Sequence, residues 1–316
     1  MMLSRTADHL YWMSRYTERA ENLARMLEVN TRMGLLLRQD EQLDLAWAAT
    51  LAMIGQLEGY RARHAMVSAD RVIAYLAFDA GNPGSIVSHL HSARENARAV
   101  RGTLTSEQWE TINSTWLELG GLRREGLSTD ELIDFFEWVK FRSHLLRGVT
   151  QGTMLRDEGF DFTRIGTFLE RADSTARILD VQLRLLAPEG LEAAGSVDYY
   201  KYSALLASVS AFEIYRKVYR DRITPDRVAE LLILRADMPR SLHRCVNELT
   251  THLAAVANDQ SGETIRRAGE LHALLLYGRI DLILEEGLHE FLANFLIRIR
   301  DLGRRIGQDF LVSSAG

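Results

Sequence analysis

The chain has 316 residues, 47% of them apolar and 26% charged, with a net charge of −5. A chain of that length buries roughly three quarters of its unfolded surface, and that balance excludes a disordered or fibrous protein. The acidic balance gives no global field to attract nucleic acid, the lone Cys245 excludes an internal disulfide, and no apolar run reaches the roughly 18 residues of a membrane span.

The amino terminus, Met1 to Arg5, lacks the basic and then apolar layout of a secretion signal, so a cytoplasmic location is expected. Apolar residues recur three and four apart along nearly the whole chain, four prolines stand near helix boundaries, and nothing alternates as a half-buried strand would. The spacing predicts an all-α helical bundle of about 10 to 12 helices. Basic residues are almost all arginine, which suits carboxylates and phosphates, although a GC-rich genome gives the same skew.

In chain order, the first marked helix carries residues 18–29, ERAENLARMLEV, followed by Glu58-Gly59-Tyr60-Arg61, Asp70-Arg71-Val72, Pro83 and Ser85. Capping boxes at Thr105 to Gln108 and Ser128 to Glu131 start two more helices. The aromatic group Phe135, Phe136, Trp138 and Phe141, with Leu132 and Leu145, reads as a thoroughly buried helix, with a docking surface as the alternative. Residues 170–181, ERADSTARILDV, then match residues 18–29 at seven of twelve positions. Glu213, Tyr215 and Arg216, Asp226-Arg227-Val228, Pro239 and Ser241 repeat the later elements, and Thr224-Pro225 starts a helix. The offset drifts only from 152 to 156 residues. Residues 4–157 and 161–313 therefore read as two copies of one multi-helix unit, expected to pack as a single pseudo-two-fold bundle.

On a helical wheel, Trp12, Met13, Tyr16, Ala20, Leu23 and Leu27 form the core face of the first motif, while Glu18, Asn22 and Arg25 lie opposite. Arg19 stands at the apolar margin. In the second copy Ile165, Phe168, Ala172 and Leu179 take the core side, Glu170 the opposite side and Arg171 the margin. An arginine at a core margin needs an anionic partner. Two alternatives stand: an internal ion pair, reciprocal between Glu18 or Glu170 and the other copy's arginine, or a cleft in which Glu18, Arg19, Glu170 and Arg171, with Tyr60, Arg61, Tyr215 and Arg216, hold a carboxylate or phosphate ligand. The i, i+4 pairs Glu21–Arg25 and Asp173–Arg177 read as a solvated face.

These stretches, with Ala93 to Arg98 and Pro239 to Leu242, resemble the bacterial alpha-E family, an α-helical domain named for its Glu-Arg motif, over essentially the whole chain. Thr175 departs from Leu23 inside the second motif. The resemblance implies partnership with circularly permuted ATP-grasp ligases and transglutaminase-like proteins, in a system that forms amide or peptide bonds.

The run from Gly121 to Gly126 lacks the lysine of a Walker loop, and neither a dinucleotide glycine turn nor a G-x-S-x-G elbow occurs. A di-iron bundle needs two Glu-x-x-His motifs; Glu286 and His289 supply one, so no metal or cofactor is expected. His89 and His91 point to different helix faces, and Cys245 beside His243 reads as a small buried residue. The basic amphipathic run from Ile297 to Ile306 reads first as a solvated face, with contact to an acidic partner or a membrane surface as the alternative. The leading expectation is a non-catalytic partner or scaffold of the ATP-grasp system. The alternatives are an acyl or aminoacyl transferase or amide ligase component that binds an anionic substrate, and a self-assembling structural protein.

Overall fold

The computed structural model describes residues 2–36, 40–122, 126–186 and 196–311, and these are all-α: fifteen α-helices and one π turn, with no strand among the described residues. Ten helices have 13 or more residues, the class that periodicity detects; five of five to nine residues complete the set. The chain forms two compact units, His9–Thr163 and Met1–Asp8 with Arg164–Gly316.

The first unit holds most of α1 (Ser4–Leu36), then α2 (Asp40–Met53), α3 (Leu57–Arg61), α4 (Ala69–Ile73), α5 (Ile86–Ala99), α6 (Ser106–Gly121) and α7 (Thr129–Thr153). Both expected capping boxes form. Thr105 and Gln108 exchange side-chain and backbone bonds at the start of α6, and Ser128 and Glu131 do so at the start of α7. Gln108, fully buried, then donates to Thr150 Oγ1 at 3.1 Å and ties α6 to α7. The π turn at Ala74–Phe78 follows α4, and the Tyr75 carbonyl accepts from buried Asn82 Nδ2 at 3.0 Å.

The second unit holds most of α8 (Glu158–Leu186), then α9 (Ser196–Ser208), α10 (Phe212–Tyr219), α11 (Pro225–Ile233), α12 (Leu242–Ala255), α13 (Gly262–Leu276), α14 (Ile280–Glu286) and α15 (Leu288–Phe310). Pro225 occupies the first turn of α11, as expected. Gly287 adopts φ +109° between α14 and α15, a conformation open chiefly to glycine. The break separates Glu286 from His289, so the two do not share one helix, and His289 Nδ1 instead bonds Asp180.

Two expectations about burial need correction. Phe135 and Phe136 are buried, but Phe141 is 62% exposed and Leu145 is exposed as well. At 100° per residue the four aromatics spread around α7, so one stripe of neighbours cannot cover them all. Glu21 and Arg25, taken as solvated, are both buried, as are Glu18 and Asn22. Cys245 is buried. The loop weighed against a Walker turn begins where α6 ends, and its residues 123–125 lie outside the described residues.

Ser85 and Ser241, both fully buried, cap α5 and α12 by accepting from Ser88 N at 3.2 Å and Arg244 N at 3.0 Å. Replacing either by alanine is expected to lower stability by about 1 kcal/mol in urea unfolding, with little change in slope.

Candidate functional site

The charged face of α1 meets the charged face of α7 in the first unit. Along α1, Glu18, Glu21, Arg25, Glu28 and Arg32 fall three and four apart, and along α7 so do Glu137, Lys140, His144 and Arg147. Each set forms one stripe on its helix. The helices run antiparallel, because Glu18 pairs with Arg147 at one end and Arg32 with Glu137 at the other.

Glu21, 0% exposed, is the centre of the seam. Its Oε1 accepts from Arg25 Nε at 3.0 Å and Nη2 at 2.7 Å; its Oε2 accepts from Ser143 Oγ at 2.7 Å and from Arg147 Nη1. Arg147 Nη1 also donates to Ser143 Oγ at 3.0 Å and to Glu18 Oε2 at 3.2 Å. His144 Nε2 sits 2.9 Å from Arg25 Nη2 and 3.3 Å from Glu21 Oε1. In its neutral form this nitrogen accepts from Arg25, and in its protonated form it donates to Glu21. Farther along, Lys140 and Arg32 both bind Glu28, and Arg32 reaches Glu137 at 2.9 Å. Glu18, Glu21, Glu28 and Glu137 thus face Arg25, Arg32, Lys140 and Arg147, and the seam is neutral within itself.

A carboxylate holding four donors has its lone-pair positions filled, so Glu21 is not poised to take a proton from a substrate. The space beside it, bounded by Thr17, Thr115, Arg142 and Ser143, measures about 20 Å³. That holds about one water and no organic ligand.

Arg19 is half-buried, with its guanidinium 5.9 Å from the Trp12 ring and 5.8 Å from the Tyr16 ring. Arg171 and Glu170 are buried in the second unit, and the Arg171 guanidinium lies 5.3 Å from Phe168. Both arginines keep cation–π company at the apolar margin where the wheel places them. Tyr60 and Tyr215 are fully buried core residues: Tyr60 Oη donates to the Met66 carbonyl at 3.0 Å, and Tyr215 Oη to the Arg222 carbonyl at 2.8 Å. Burial raises the Tyr60 hydroxyl above its ordinary pKa. Arg61 and Arg216, next in sequence, are exposed. Each tyrosine and its arginine therefore point to different environments.

In the second unit a partly buried charge cluster sits between α8 and α12. Arg164 donates to Glu248 at 2.8 Å and packs over Phe168 at 4.5 Å; Arg244 also binds Glu248. Asp173 pairs with Arg177 at 2.6 Å. Burial alone would raise the Glu248 carboxyl, but the Arg164 hydrogen bond and charge outweigh it, leaving the group below its ordinary pKa.

Sequence reasoning missed Ser143, His144, Arg147 and Lys140 because it treated charge as solvent-facing. The signal was present in the two matching three-and-four stripes, which on apolar residues would be read at once as a helix-pairing seam.

Two outcomes follow for these clusters. Glu21→Gln is expected to cost about 3 kcal/mol in urea unfolding, because Arg25 and Arg147 lose their shared counter-charge. For Glu248, a lowered folded-state pKa means its contribution is complete above about pH 4.3 and fades as pH falls through the lower folded value. Unfolding midpoints measured from pH 6 down to pH 3 are expected to fall less steeply in Glu248→Gln than in the parent.

Among the described residues no helix is long and apolar enough to cross a membrane. The chain is 27% identical to uncharacterized proteins of Mycobacterium bovis and Mycobacterium tuberculosis over 261 residues, 75% of this chain but 28% of each relative. It thus spans little more than a quarter of the length of the curated relatives it matches. No solved structure matches it significantly. A family model described as a predicted alpha-helical domain with a conserved ER motif matches residues 2–311, which carry Glu18-Arg19 and Glu170-Arg171, and the chain belongs to this Alpha-E family.

Proposed function

We propose that this protein is a non-catalytic helical scaffold that works in the cytoplasm beside a circularly permuted ATP-grasp ligase and a transglutaminase-like protein, in a system that forms amide or peptide bonds. The observation that carries the proposal is the share of the relatives it covers: 75% of this chain matches 28% of the Mycobacterium bovis relative, so in that protein the similar stretch is part of a much longer polypeptide. A region built into a longer chain works at the effective concentration of its neighbours, which suits a scaffold. The identity of the partners follows from the family resemblance.

The α1–α7 seam supports the same reading, since its carboxylates and cations are neutralised by one another. Part of the proposal is that the two units arose by duplication. In support, α5 and α12 begin 156 residues apart, α6 and α13 likewise 156, and Ser85 and Ser241 cap equivalent helices in the same way.

The test is ATP-dependent amide formation by a purified ATP-grasp protein from the same host, with and without this chain. The expected result is that the two co-purify in near-equal amounts, that this chain raises product formation at least about tenfold, a gain of about 1.4 kcal/mol in barrier, and that it turns over no ATP alone. Amide product from this chain alone, or no complex and no change in rate, would contradict the proposal.

A further inference from the structure

We propose that the groove between α13 and α15 binds an acidic peptide segment that carries apolar side chains. The groove lies wholly within the second unit, is open to solvent along one side, and has a volume of about 790 Å³. Its apolar floor is Leu274 and Ile297, and Ile297 is 60% exposed on a helix that buries Leu292, Leu296, Ile299, Leu302 and Ile306.

Arginine lines the rim. Arg266, Arg267 and Arg298 border the groove, and Arg304 and Arg305 extend the same charge along α15. The carboxylates among them are already taken. Asp301 is held by Arg267 at 2.7 Å, Arg304 at 2.6 Å and Arg305 at 3.1 Å; Glu263 is held by Arg266 and Arg267, at 2.7 and 2.8 Å; Glu270 is held by Arg266. The clamp by Arg266 and then Arg267 lowers the Glu263 carboxyl to about 2. The groove's lining sets Arg266, Arg267 and Arg298 against Glu270 and Asp301, a surplus of one cation on a chain whose net charge is −5. Arg298 is exposed and pairs with no carboxylate among the described residues.

That charge and floor select the occupant. A small free anion would leave Leu274 and Ile297 uncovered. An acidic peptide places a carboxylate on Arg298, the rim arginine without a carboxylate partner, and alternate apolar side chains on the floor. From Arg266 to Leu274 the helix rises about 12 Å, the length of about four extended residues. This inference is independent of the ATP-grasp partner proposed above.

The probe is a fluorescein-labelled octapeptide of alternating glutamate and leucine, titrated with the full chain by fluorescence anisotropy at low salt. The expected result is saturable binding that falls with added salt, weakens about tenfold in Arg298→Glu and in Ile297→Asp, and is absent for a lysine–leucine octapeptide. Both substituted residues are exposed, so circular dichroism is expected to show the variants folded. Arg71→Glu, an equal charge change at an exposed site of the first unit, is expected to leave binding intact. No binding of the acidic peptide, equal binding by parent and groove variants, an equal loss in Arg71→Glu, or binding of phosphatidylglycerol vesicles without the peptide would each overturn the proposal.

Discussion

Burying the Glu21 carboxylate constrains everything around it in the first unit. An ionised carboxylate removed from water persists only if its charge and its lone pairs are met inside the protein. Arg25 meets them from the same helix, and Ser143 and Arg147 meet them from α7. Once Arg147 is fixed there it also takes Glu18, and the remaining pairs, Glu28 with Lys140 and Arg32 with Glu137, extend the same antiparallel register. The Glu-Arg stripe is thus a register device: displacing α7 by a turn would bring like charges together along the seam.

The second unit reaches a helix pair by another route. α15 runs along α8, with His289 bonded to Asp180 and Gly303 close to Leu169, and Leu292, Phe295 and Ile299 are among the residues it buries. Under the proposed duplication these stand 152 residues beyond Lys140, Ser143 and Arg147. One copy then keeps a polar seam where the other has an apolar one, in line with the general finding that buried ion pairs and well-packed hydrophobes are exchangeable at little net cost. What the polar version adds is a fixed register and a surface intolerant of single substitutions.

Much of the fold was legible because most helices are long and their starts are chemically marked. Both capping boxes, the Thr224-Pro225 start and the burial of Met13, Ala20, Ile165 and Leu179 follow from spacing alone. The short helices α3, α4 and α14 have too few residues to show a period. The candidate site was legible in composition and not in role. Glu18, Arg19, Glu170 and Arg171 stand out on the sequence, but a wheel places polar residues toward solvent by default, and only a second helix with a matching stripe reverses that. Arg147 lies 129 residues from Glu18, and pairing at that separation is a property of tertiary structure. Phe141 failed for the converse reason, an aromatic residue with no neighbour to cover it.

The central claim, that the α1–α7 charges are an internal seam, is tested most directly by a double-mutant cycle between Glu21 and Arg147, using Glu21→Gln and Arg147→Met and urea unfolding. The account predicts that the two losses are strongly non-additive, with a coupling of about 1.5 kcal/mol or more. Additive losses, within about 0.5 kcal/mol, would contradict it and return both residues to independent roles.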